Sequence, residues 1–253
     1  MSDEHAVTVV TGAAAGMGRA LCTRLARRAQ PTVAVDIDEE RLHWVDDYST
    51  IAPCVADIAT EEGNAAMVAV AHERFGGVDA AVLNAGAFPA APLEKLALSD
   101  FDRLVAVNLR GTFLGIRAVL PSLRAKGGGA IVVTSSCVSL RAQPNTSVYG
   151  ATKAGLVNMI QAFAHEIGRE NIRINAICPG PTLTAAATDP EFHNHPYYAW
   201  QLELTALKRW ADPDELAAVM EFLISPAASF ITGAAIPVDG GWSAGTQTPP
   251  NVR

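Results

Sequence analysis

Val7-Thr8-Val9-Val10-Thr11-Gly12-Ala13-Ala14-Ala15-Gly16-Met17-Gly18 is the stretch on which the fold turns. A short β-branched run (7–10) ends in glycines, and a helical pattern (16–29) follows at once. Glycine at the turn tolerates positive φ and lets a ligand approach the backbone. The helix that opens there points unpaired N–H groups and its positive dipole end outward, which suits an anionic group such as a pyrophosphate. The spacing is GxxxGxG rather than GxGxxG.

Six more runs of the same kind follow, at 32–37, 52–58, 78–86, 130–136, 172–180 and 234–241. They are apolar on both faces, as strands of a covered parallel sheet are. Helical patterns separate them near 39–47, 61–75, 99–123, 149–169 and 212–224. Ser99 with Asp102, and Asp212-Pro213 ahead of Glu215, mark two helix starts. Strand–helix alternation along the whole length predicts an α/β fold: a doubly wound sheet of about seven parallel strands flanked by helices, as one domain spanning 1–253.

Composition narrows the function classes. Of 253 residues, 49% are hydrophobic and only 18% charged, against a usual charged share of about 25%. That balance excludes disorder. No uninterrupted apolar run approaches the ~18 residues of a membrane span, so no membrane association is expected. The acidic start MSDEH lacks a signal pattern, and a net charge of -7 disfavours nucleic acid as a partner. Cys22, Cys54, Cys137 and Cys178 form no paired motif, which fits a reducing, cytoplasmic setting. The six histidines, His193 and His195 included, offer no ligand spacing, so no metal is expected.

Ligands of such sheets bind beyond the carboxyl ends of the strands. The residues there are TGAAAGMG, Asp36, Asp57, Asn84-Ala85-Gly86, Ser135-Ser136 and Pro179-Gly180-Pro181-Thr182. Asp36 stands eighteen residues past Gly18, close to the ~20 expected of an acid that binds a ribose. Its charge repels a 2′-phosphate, and neither Ala15 nor Ile37 supplies a compensating cation, so NAD is expected over NADP. Tyr149 and Lys153 lie four apart, one helical turn on one face. An ammonium there is expected to lower the phenol's pKa and fit it for proton transfer to or from an alcohol.

In combination these motifs resemble the short-chain dehydrogenase/reductase family, in its single-domain branch of about 250 residues. The matches run from TGAAAGMG through Asp36, Asp57, NAG (84–86), Asn108, Ser136, YGATK (149–153) and PG (179–180) to VDGG (238–241). The resemblance implies a Rossmann-type fold with Tyr149 as general acid/base and Lys153 beside it on the nicotinamide ribose. It implies that Ser136 holds the substrate oxygen and that Asn108 anchors a proton relay from Lys153. Thr11, Gly12, Gly16, Met17 and Gly18 would cradle the pyrophosphate. Asp57, Ile58, Asn84, Ala85 and Gly86 would flank the adenosine, and Pro179, Gly180, Thr182 and Thr184 would complete the cofactor contacts. Departures from the pattern are Leu83 before Asn84, and Thr182 where an aliphatic is usual. Ser135 beside Ser136 leaves two serines, of which the thirteen-residue spacing to Tyr149 favours Ser136.

The resemblance places a substrate lid at about 184–210. That segment holds Phe192, Tyr197, Tyr198, Trp200 and Trp210, a large share of a chain with 8 Phe, 4 Tyr and 4 Trp. Phe88, Val138, Leu140, Asn145 and Thr182, with Tyr197, Tyr198 and Trp200, are the expected pocket walls. They suit an apolar or cyclic secondary alcohol or its ketone. A catalytically silent NAD-binding scaffold is the alternative, and the retained Tyr149 and Lys153 count against it. An enoyl reductase fits less well, because relatives of that kind space Tyr and Lys more widely. The apolar helices 99–123 and 149–169 need cover on more than one side, and the resemblance implies a homotetramer.

Overall fold

β1 (Thr8–Thr11), β2 (Thr32–Asp36), β3 (Ile51–Val55), β4 (Ala80–Leu83), β5 (Gly129–Thr134), β6 (Ile172–Pro179) and β7 (Ala235–Val238) form one parallel sheet. They are ordered β3-β2-β1-β4-β5-β6-β7, and Val9 lies level with Val33 on one side and Ala81 on the other. The structure is a computed structural model, and it describes residues 6–88, 90–184 and 196–245. Phe192, His193 and His195 lie outside them. The strand order reverses between β1 and β4, so the crevice expected of doubly wound sheets opens above that pair.

Helices cover both faces. α1 (Gly16–Ala26) and α7 (Pro213–Ile224) lie on one side; α2 (Glu61–Phe75), α4 (Thr112–Ala125) and α5 (Ser147–Ile167) lie on the other. Successive strand residues feed opposite cores, because side chains alternate across a sheet. Val9, Ile131 and Val133 pack with Met67, Ile116, Leu156 and Ile160, whereas Val10, Val82 and Val132 pack with Leu21, Leu25, Ala217 and Met220. All four cysteines are buried free thiols.

Three sequence expectations shift. The predicted helix 99–123 is a continuous rod that begins earlier, as α3 (Leu98–Leu104), passes through a π-helical turn (Val105–Gly111) and continues as α4. Ser99 therefore falls inside the first turn and caps nothing; Ala97 precedes the helix without a side-chain cap. The whole rod, Leu98–Ala125, is long and apolar enough to cross a membrane by length and composition, a property hidden from a search for uninterrupted apolar runs. Here it is a core helix: Leu104, Ile116, Val119 and Leu123 are fully buried, while Arg103, Arg110, Arg117 and Arg124 are exposed. The pattern at 39–47 is a 3₁₀ segment (Glu40–Asp47) rather than an α-helix. The Asp212 start holds as predicted, a full capping box with Pro213 in the first turn.

Candidate active site

The crevice above β1 and β4 is a cavity of about 790 Å³ that runs from Asp36 to Tyr149. At the β1–α1 turn, Gly12 has φ +70°, and a Cβ there would sit 2.9 Å from the Ala85 backbone. A Cβ at Gly18 would collide with the carbonyl oxygen of Gly12. Only glycine allows the turn to fold back so tightly, and the resulting cradle fits a diphosphate at the start of α1. The Thr11 hydroxyl accepts from the Asn84 and Ala85 N–H groups at 2.9 and 3.1 Å, and Asn84 Nδ2 donates to the Thr11 carbonyl. Thr11 and Gly18 thus shape the cradle from behind, whereas Gly12, Gly16, Met17, Asn84, Ala85 and Gly86 line it.

Asp36 closes the far end. Its carboxylate accepts from Ala14 N at 2.9 Å and from Asp38 N at 3.2 Å, so it faces the cavity in a fixed pose. A cation that positions 15 and 37 do not supply comes from Arg41, which lines the same end. Its guanidinium lies 3.4 Å from Asp38, which balances its charge and leaves that of Asp36 uncompensated. Asp57 and Ile58 do not reach the cavity. Asp57 caps its own turn by accepting from Ala59 N, and Ile58 is packed against the core beside Gly111.

At the other end, Tyr149 and Lys153 share one face of α5, as their spacing requires. Ser136, just past the end of β5, lies close enough to the Tyr149 hydroxyl to pull its pKa down, and it lines the cavity. Ser135 is committed elsewhere, since its hydroxyl donates to the Lys153 carbonyl at 2.9 Å. Ser136 is thus the serine of the two whose hydroxyl is left near Tyr149. Lys153 is 3% exposed, and its Nζ donates to the Thr134 carbonyl at 2.7 Å. The ammonium lies 5.8 Å from the Tyr149 ring centroid. The expected depression of the phenol is absent: burial pushes Tyr149 up to about 12, with the nearby Ser136 hydroxyl pulling the other way. Burial likewise pushes Lys153 down to about 8. Desolvation disfavours the charged form of each group, and at this separation it outweighs their mutual support. Burial also pushes the Cys137 thiol up to about 12, so that thiol is a poor nucleophile beside the site.

Asn108 sits in the π-helical turn, buried behind the cavity. Its Oδ1 accepts from Ala87 N at 2.8 Å, and its Nδ2 donates to the Ala87 carbonyl at 3.0 Å and to Thr152 at 3.3 Å. A Cβ at Gly86 would lie 3.3 Å from Asn108 Oδ1 and 3.4 Å from Lys153 Nζ, which places both groups against one glycine. π-helical turns recur at functional sites because the widened turn re-aims a side chain.

Among the expected pocket walls, Phe88, Val138, Thr182 and Tyr197 line the cavity, and Phe88 meets Tyr149 edge-on at 4.6 Å. Pro179, Gly180 and Thr184 line it too. Four predicted contacts do not. Tyr198 stacks flat on Trp210 at 5.0 Å, Trp200 leans on Tyr197 from outside, Leu140 is largely exposed, and Asn145 forms a left-handed turn at φ 65°. Gln143, Gln201, Arg103 and Trp210 line the cavity instead. No pattern pointed to the two glutamines, because they come together only through α6 (Pro196–Leu204).

Comparison with known proteins agrees with this geometry. A family model described as enoyl-(acyl carrier protein) reductase matches residues 12–243. Levodione reductase from Leifsonia aquatica is 36% identical over 254 residues, covering 94% of each chain. A crystal structure of levodione reductase superposes with a TM-score of 0.88 at 35% identity, covering 94% of this chain and 98% of that one. A 3-ketoacyl-(acyl-carrier-protein) reductase from Brucella melitensis, complexed with NADH, gives 0.85 at 33% identity, with the same coverage. The glycine cradle, the Ser136–Tyr149–Lys153 cluster and these likenesses agree: the chain belongs to the short-chain dehydrogenase/reductase family of nicotinamide-dependent oxidoreductases.

Proposed function

We propose that the protein is an NAD-dependent dehydrogenase that interconverts a secondary alcohol and its ketone. The carrying observation is one cavity lined by Asp36 at one end and by Ser136, Tyr149 and Lys153 at the other. A nicotinamide cofactor supplies hydride transfer when bound. The chain's own residues position the substrate and move its proton. Ser136 holds the substrate oxygen, Tyr149 takes its proton in oxidation and returns one in reduction, and Lys153 stabilises the phenolate and binds the ribose. Asn108 fixes the Ala87 backbone and links Lys153 to the proton path. Gly12, Gly16 and Met17 hold the diphosphate, Asp36 accepts from the adenosine ribose, and Thr182 and Thr184 flank the nicotinamide half.

NAD is favoured over NADP because the ribose corner carries Asp36, Asp38 and Arg41, an excess of one negative charge. A 2′-phosphate would meet that excess. Of the expected lid at 184–210, residues 185–195 lie outside the described residues; the described part supplies Tyr197, Gln201 and Trp210 as walls of the substrate end. The presence of both Tyr149 and Lys153 in the cavity favours an enzyme over a silent scaffold. The four-residue Tyr–Lys spacing favours carbonyl over enoyl chemistry. We further propose a homotetramer, in which copies of the chain cover Leu98, Phe101 and Phe113, apolar residues exposed along α3 and α4.

The test is a substrate panel of cyclic and aryl-alkyl secondary alcohols with NAD, after NADH binding is verified by fluorescence. Turnover of at least one class is expected. Tight NADH binding with no turnover of any alcohol or ketone would support the scaffold instead.

A further inference from the structure

The substrate end of the cavity contains a hydrogen-bonded chain whose direction is fixed by its buried end. Trp242, 2% exposed, donates from Nε1 to Gln201 Oε1 at 2.8 Å. An indole N–H can only donate, so the Gln201 amide has one orientation and its Nε2 must face away. That Nε2 donates to Gln143 Oε1 at 3.2 Å. Gln143 is thereby oriented in turn, with its NH₂ directed away from Gln201. One bond from this group runs to the Tyr197 hydroxyl at 3.4 Å, a long contact. Gln201 is 3% exposed, and both glutamines line the cavity. Gln143 is tied to the catalytic helix as well: the Thr146 hydroxyl donates to its carbonyl at 2.8 Å, one residue before α5 begins and three before Tyr149.

We propose that the Gln143 amide is a specificity determinant that donates to a second, uncharged oxygen of the substrate. The substrate class is then a secondary alcohol or ketone carrying a further hydroxyl or carbonyl, rather than a purely apolar alcohol. This rests on the oxidoreductase reading above and narrows it. An apolar substrate would cover the Gln143 NH₂ without offering it an acceptor, and an unmet buried donor is costly. A carboxylate is disfavoured at that position, because the groups hydrogen-bonded to Gln143 carry no charge. Among the described residues, the cations lining the cavity are Arg41, Arg103 and Lys153. Arg41 faces Asp38 at the ribose corner, Lys153 is bonded to Thr134, and Arg103 is exposed on α3. The groups around Gln143 are the neutral Gln201, Tyr197 and Thr146, which cannot offset a buried anion. Sites built to hydrogen-bond a substrate group discriminate strongly against analogues that lack it.

The experiment uses the full chain with NAD and compares initial rates on cyclohexanol, the cyclohexane-1,2-, 1,3- and 1,4-diols, and hydroxycyclohexanecarboxylates. At least one diol is expected to exceed cyclohexanol in kcat/KM by about tenfold or more, and to exceed every hydroxy acid. Gln143→Leu should shrink that diol-to-cyclohexanol ratio at least about fivefold. Trp242→Phe, which keeps the ring and deletes the donor that orients the chain, should shrink it in the same direction. It serves if the leucine variant does not fold. Equal kcat/KM for cyclohexanol and all diols, a preference for a hydroxy acid, or equal losses on both substrates in the variants would overturn the assignment and leave the oxidoreductase reading standing. Failure to oxidise any of these alcohols would overturn the assignment, whereas failure on the aryl-alkyl alcohols as well would overturn the reading on which it rests.

Discussion

Tyr149 is held by burial in its neutral form, with a pKa pushed up to about 12. In oxidation it must accept a proton, so its phenolate fraction limits the rate and grows about tenfold per pH unit below that value. We therefore expect kcat/KM for alcohol oxidation to climb from about pH 6 to about pH 8, while ketone reduction, which uses the abundant phenol, stays nearly level. The climb should flatten above about 8, where Lys153 loses the charge that supports the phenolate. A pH-independent oxidation rate would contradict this assignment. Asp36 gives the second residue-scale prediction. Asp36→Asn keeps the side-chain size and removes the charge, so kcat/KM with NADP should rise about tenfold relative to NAD. An unchanged ratio would show that the ribose corner selects by other means. Both residues are legible in the sequence, one by its distance from the glycines and one by its spacing to Lys153. The direction of the Tyr149 shift was not legible, since it depends on how deeply the fold buries the phenol.

Local signals were read correctly where a rule of stereochemistry forced them. The strand–glycine–helix unit at 7–18, the α2 boundaries at 61–75 and the Asp212 box all follow from φ limits or from capping. Asp212→Ala tests that reading. It removes the acceptor for Asp214 N at 2.8 Å, so stability should fall by about 1 kcal/mol, and the melting temperature by about 2–4 °C. Catalysis should change little, because Asp212 does not line the cavity. No loss of stability would contradict the capping account. Ser99 failed as a start signal because Leu98 already takes helical geometry, and a cap must precede the first turn. The π-helical turn around Asn108 left no mark in the hydrophobic pattern, because one widened turn barely alters a 3.6-residue period.

At the scale of the whole molecule, the sheet, the glycine turn and the Tyr149–Lys153 pair were legible in the sequence, because apolar strands, glycines and a four-residue helical spacing each leave a local mark. The polar wall of the substrate end left none. Gln143 and Gln201 are 58 residues apart and meet only when α6 crosses the cavity mouth. Composition carried a further whole-molecule signal. A chain with 18% charged residues still exposes Leu98, Phe101 and Phe113, and assembly into a tetramer would cover them. Light scattering at micromolar protein should return about four times the chain mass; a monomer would contradict the tetramer. The central claim concerns chemistry, and one variant addresses it. Tyr149→Phe keeps the ring that meets Phe88 and deletes the hydroxyl that exchanges the proton. NADH binding should stay within about twofold of wild type while turnover of the best alcohol falls by about 10²–10⁴. Normal NADH binding with full turnover would contradict Tyr149 as the acid/base.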